Sequence, residues 1–225
     1  MIKRWPLHRC IAGLPIVLCL LSMTVAGATF ANCRAPQSQV AFNPPWDDPR
    51  PSAIQSAADV HVWKTITIGA YRDLPTLRAA LREAGCGIGD DVDAMLVSHA
   101  FPLAHDPKEI DLVVLSVAQL GFPSEASRTA IFARAEELGL QLCPPEVGLL
   151  LRLQYPDQPI GEFLRIAMDP VPMVNGRRED MTVGNGGTGQ VVIAGSSARP
   201  DQTLYWNELL VFARKSSNAS TTARQ

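Results

Sequence analysis

A charge-free apolar run and a cluster of prolines set the first sixty residues of this chain apart from the regular fold expected after them. From Ile11 to Ala31 the text "IAGLPIVLCLLSMTVAGATFA" carries no charge, and prolines follow at 36, 44, 45, 49 and 51. Proline fixes φ and lacks an amide proton, so a stretch this rich in it forms neither a helix nor a central strand. Regular structure is therefore expected in one globular domain over residues 60–215. Residues 32–59 are then a Pro-rich linker, and the small polar residues 216–225 a disordered tail.

Lys3, Arg4 and Arg9 precede the apolar run, which ends in small residues with cleavage sites after Ala28 or Ala31. That order describes a signal peptide over residues 1–31 and a secreted or periplasmic product. A signal anchor in the inner membrane is the alternative, because the run is long enough to span a bilayer. Gly13 and Pro15 make it a poor permanent span. Contact with the membrane is expected only through residues 1–31, if they are retained. The formal net charge of −2 becomes −5 once Lys3, Arg4 and Arg9 leave with the leader. With its basic residues scattered, such a chain offers nucleic acid no footprint. Cleavage leaves Cys33, Cys86 and Cys143, enough for one disulfide and one thiol in an oxidising compartment. Three pairings are open. Cys86 with Cys143 is preferred, since Cys33 stands in the linker.

Within the domain, "VHVWKTITIG" alternates around β-branched residues as a strand does. "DLPTLRAALREAG" has an Asp73 cap, Pro75 in its first turn and Gly85 as its stop, the marks of a helix. Short helices are expected at "GDDVDAMLVS" and "PPEVGLLLRLQY", a strand at "IDLVVLSVAQL" and a longer helix at "SEASRTAIFARAEELG". A helix, a glycine, two residues and a second short helix recur around Gly85 and Gly139; chance similarity between two amphipathic helices accounts for that echo better than duplication does. From Gly161 onward strands dominate, in an antiparallel meander turning at Asn175-Gly176, at the glycine loop and near "SSARPDQ". The expected class is α+β, a single domain with a helical N-terminal half packed on a mostly antiparallel C-terminal sheet.

"VGNGGTGQVVIAG" matches G-x-G-x-x-G at Gly184, Gly186 and Gly189. A dinucleotide loop needs a helix after it to meet the pyrophosphate. Here the β-branched "QVVIAG" follows, so the loop reads as a hairpin turn. Cys143, before a helix start, would be a nucleophile only if a base such as His99 or His105 stood near it. A disulfide or a buried small residue is the plainer reading. His99, His105, Asp106 and Asp111 match no metal-ligand spacing, and Asp90, Asp91 and Asp93 lack the rest of a calcium loop. They suit a helix start instead. No metal and no cofactor are expected.

Arg152, Gln154, Tyr155 and Glu162 form a polar cluster between a helix and a strand, where a scaffold can present contacts to a ligand. A hydrogen-bonded turn would use the same residues. Arg177 and Arg178 read as a solvated hairpin tip. Trp63, Tyr205 and Trp206 read as core, or else as a sugar-stacking surface.

The strings "VWKTITIG", "EIDLVVLSVAQLGF", "LGLQLCPPEVG" and "LRLQYPDQPIGEFLRIAM" resemble a family of uncharacterised bacterial proteins. The similarity runs from about residue 62 to 215. It implies a bacterial origin and one domain with helices before strands, and it brings no catalytic residue or cofactor. The expected role is non-catalytic binding in the cell envelope, to a protein or a polymer. A hydrolase using Cys143 with a histidine base and a structural or secretion-linked interaction protein are the alternatives.

Overall fold

The computed structural model describes residue 33 and residues 52–97, 101–195 and 198–214. The expected signal peptide, most of the linker and the expected tail lie outside them. Among the described residues no helix is long and apolar enough to cross a membrane.

Local chemistry sets the elements. In β1 (Lys64–Ile68), Ile66 and Ile68 alternate with threonines and are buried. In α1 (Leu74–Glu83) the Asp73 carboxylate accepts the Thr76 amide at 2.7 Å, Pro75 occupies the first turn, and Gly85 takes φ +74° just past the end. β2 (Gly87–Ile88) and α2 (Asp90–Leu96) follow. Three aspartates occupy the first turn of α2, where the helix dipole favours them. β3 (Lys108–Ser116), β4 (Ala126–Ser127), α3 (Arg128–Glu137), β5 (Leu140–Gln141) and α4 (Val147–Gln154) come next. The chain ends in β6 (Phe163–Ile166), β7 (Val171–Pro172), β8 (Arg178–Asn185), β9 (Gln190–Gly195), β10 (Thr203–Leu204) and β11 (Leu209–Arg214).

These strands do not separate from the helices along the chain. One nine-stranded sheet runs β1-β3-β11-β6-β8-β9-β2, with β5 beside β11 and β7 beside β8, while β4 and β10 pair separately. The expectation of a helical N-terminal half on a C-terminal sheet is therefore wrong. The architecture is a curled, half-barrel sheet of mixed direction with four short helices. β3, from the N-terminal half, lies beside β11, the last strand; β11 pairs antiparallel with β3 and parallel with β6. The meander also fails, because β11 enters the middle of the sheet instead of extending it beyond β9. The hydrophobic pattern specifies that a segment is a strand and which face it buries, but not its neighbour.

Helix α4 explains the curl. Residues 147 to 153 are all buried, so it is enclosed on every side. It packs on β1 near one edge of the sheet and on β8 and β9 near the other. Ile66, Leu112, Val211, Leu164, Ile166, Met181, Val183 and Val192 line this inner face, with α1 and α2 closing it. On the outer face α3 covers Val113, Leu115, Leu210 and Phe212. Residues 52–59 of the expected linker dock there too: the Ile54 amide donates to the Gln119 carbonyl and the Ala57 amide to the Leu138 carbonyl. Ser56 and Asp59 cap the short turn between them.

The repeated pattern has a structural counterpart. α1, Gly85, β2 and α2 match α3, Gly139, β5 and α4 in order, both glycines having positive φ. The disulfide joins Cys33 to Cys86, not Cys86 to Cys143. Cys86 lies beside the β2 edge, where the Cys33 amide donates to the Ala84 carbonyl at 2.8 Å. Cys143 instead lies mid-sheet, bridged to Met168 with its thiol donating to the Val211 carbonyl.

Candidate functional site

The polar cluster "RLQYPDQPIGE" turns inward. Arg152 has 0% of its surface exposed. Its Nη1 donates to Gln158 Oε1 and, at 3.4 Å, to the Gly184 carbonyl; Nη2 donates to the Tyr155 carbonyl and to Gln190 Oε1 at 2.7 Å. Gln158 continues the network to the Val183 carbonyl and Gln190 to the Pro156 carbonyl. The Asn185 amide donates to the Gln158 carbonyl. This is the hydrogen-bonded turn, not a surface for ligand: buried polar groups need partners, and here most find each other, Arg152 Nε and Glu162 Oε2 excepted. Burial lowers the Arg152 pKa to about 10, which still leaves it charged at neutral pH. Glu162, also buried, has its pKa raised chiefly by desolvation, with the Tyr155 and Gln158 side chains and Arg152 opposing. Burial likewise raises the Tyr155 hydroxyl, whose ring packs edge-on against Trp63 at 5.0 Å.

Gln154 has another task. Its amide donates to the Thr67 carbonyl at 2.9 Å and accepts the Thr67 amide at 3.0 Å, so it stands in for a neighbouring strand along the free edge of β1. The buried Glu146 accepts the amides of Gly69 and Ala104 and fixes the loops beyond that edge.

The thiol reading gains nothing from the geometry. Burial pushes the Cys143 thiol well above its ordinary pKa, the reverse of what a nucleophile needs. His105 is exposed on its loop, and His99 lies outside the described residues. Asp111 accepts the Thr65 hydroxyl across the strand pair. Asp93 pairs with Arg78, which lowers its pKa. Arg177 pairs with Glu179 at 2.5 Å. The glycine loop joins β8 to β9 with Asn185 opposite Gln190, a hairpin without a helix. Trp63 and Trp206 do not share a surface: the Trp63 amide donates to the Leu112 carbonyl, whereas the Trp206 carbonyl accepts from Ala118, six residues further along the chain.

What the sequence reading missed is on the outer face, beyond the reach of α3. There β6, β8 and β9 present Phe163, Arg165, Thr182, Val191 and Ile193, of which Phe163 and Ile193 are exposed. Phe163 is 46% exposed. It lies opposite Gly184 on β8, and a Cβ at Gly184 would overlap its Cδ1 and Cε1; its Cζ reaches 3.8 Å from the Cβ position of Gly186. One glycine of the motif that resembled a phosphate loop, Gly184, thus makes room for an aromatic ring, and Gly186 stands at ordinary contact distance from its tip. Beside the ring is a cavity of about 240 Å³, lined by Gly161, Phe163, Arg165, Thr182, Asn207, Glu208 and Leu209.

Charge at this site is balanced. Arg165 Nη1 pairs with the fully buried Asp180 at 3.2 Å and Nη2 with Glu208 at 3.2 Å. Arg128, from the start of α3, lies 3.7 Å from Asp180 on the other side. Desolvation lowers the Arg128 pKa while Asp180 opposes the change. The alternation in "EFLRIAM" was a usable signal, since it places Phe163 and Arg165 opposite the buried Leu164 and Ile166.

Compared with known protein families, with curated proteins and with solved structures, the chain matches none.

Proposed function

We propose that the chain is an exported bacterial binding module of the cell envelope, without catalysis, whose ligand seat is the outer-face cavity beside Phe163. The observation that carries this reading is a large aromatic ring held over Gly184 at the mouth of a cavity, about half exposed. Export is supported by the leader text and by the Cys33–Cys86 disulfide, a bond that persists in oxidising compartments. Bacterial origin rests on the resembling strings. Binding is favoured over catalysis because Cys143 is sealed in the core, and both acids nearest the cavity, Asp180 and Glu208, are held by Arg165.

Co-sedimentation of the exported protein with isolated cell envelopes tests the reading. The unaltered protein and a Val174→Ala control, changed at an exposed position on the turn before β8, should pellet alike, and Phe163→Ala should stay in the supernatant. Equal pelleting of all three, or none, would contradict it.

A further inference from the structure

We propose that the occupant of this cavity is one neutral sugar ring of an envelope glycan, a deepening that rests on the binding-module reading above. A pyranose has an apolar C–H face and a rim of hydroxyls, and it settles on an aromatic ring when polar groups stand at the edge. Phe163 supplies the platform, resting across Gly184 and directed toward Gly186. At the edge stands Arg165, whose two Nη groups are held by Asp180 and Glu208. The Thr182 hydroxyl and Asn207 amide line the same cavity and hold no hydrogen bond among the described residues. Those unspent groups offer donors and acceptors together, which a hydroxyl can use in either sense.

The charges argue for a neutral guest. Arg128 and Arg165 are matched by Asp180 and Glu208, so neither an anion nor a cation finds a surplus of opposite charge. At about 240 Å³ the cavity is smaller than the roughly 300–1,000 Å³ of sites for drug-sized ligands, which suits one ring with its neighbours passing over the surface. Tyr205, 64% exposed, stands on the turn that carries Asn207 and Glu208 and supplies a second aromatic for the adjoining ring.

Amide NMR of the exported, disulfide-bonded protein titrated with three trisaccharides tests this. The probes are a β-1,4-linked N-acetylglucosamine trimer, a β-1,4-linked glucose trimer and a charged galacturonate trimer. Saturable shifts at Gly184, Gly186, Thr182 and Asn207 are expected with at least one neutral trimer, weakened roughly tenfold in Phe163→Ala and retained in Phe163→Trp. No shift from either neutral trimer, tighter binding of the galacturonate trimer, or unchanged affinity in Phe163→Ala would overturn the assignment. A photo-crosslinking amino acid in place of Phe163 separates the two failures. Capture of a protein without sugar shifts removes the glycan and keeps the binding module, whereas neither crosslink nor shifts removes both.

Discussion

Arg152 carries its charge in the middle of the molecule, and every group it donates to is a neutral oxygen. Arg152→Met would leave the Gln158 and Gln190 amide oxygens and two carbonyls without donors. Urea unfolding should show a loss on the order of 3 kcal/mol, and Arg152→Lys should not restore it, since one ammonium cannot span the fork. Glu162 gives a pH dependence. Burial raises its pKa, so the folded state holds the proton more tightly than the unfolded one. The resulting stability is complete below the ordinary carboxylate range and is lost as pH rises through the raised value. Glu162→Gln should therefore flatten the fall in urea midpoint as pH rises above the ordinary carboxylate range; an identical slope in both proteins would contradict the assignment. Cys143 should resist a thiol reagent in the folded protein and react once urea is added, while rapid native labelling would revive the nucleophile. None of these fates was legible in residue type alone. A dense polar stretch next to a proline reads the same whether it points at solvent or at the core, and what decides is the enclosure of α4, a tertiary fact.

Element by element, the local chemistry was far more readable. Asp73 and Pro75 start α1 as their side chains require, Gly85 at positive φ follows its end, and the β-branched runs of β1, β3 and β9 are strands. The glycine loop is a turn, as its following strand demanded. Pairing was not readable, because β11 meets β3 and β6 across nearly a hundred and about fifty residues of chain. Nor was the linker boundary: Ile54 and Ala57 are too few to announce that 52–59 docks. Gln154 shows how an edge is managed at this scale. By occupying the Thr67 amide and carbonyl it blocks pairing with another chain. Gln154→Ala should cost about 1–2 kcal/mol and produce concentration-dependent association in sedimentation velocity, whereas a monomer at all concentrations would show that the plug is dispensable. The outer-face site was half visible, since the alternation of "EFLRIAM" put Phe163 away from the core but could not say that α3 leaves it bare.

Across the whole molecule, a sheet rolled around one helix is stapled at its open edge by Cys33 and Cys86. The bridge spans 53 residues of sequence, and a loop of that length stabilises by about 4 kcal/mol if its effect is mainly on the unfolded chain. Reduction should lower the urea midpoint accordingly. The same bond bears on where the protein works, because Cys33 stands two residues beyond the later cleavage site and must survive processing to pair. The intact mass of the protein recovered from its native cells, taken without reductant and after alkylation, reads both facts at once. A chain beginning at Thr29 or Asn32, with Cys33 and Cys86 joined and a single alkylatable thiol under denaturant, is the expected result. A full-length chain from the cytosol with all five cysteines alkylated would contradict export, the bridge and the envelope role together.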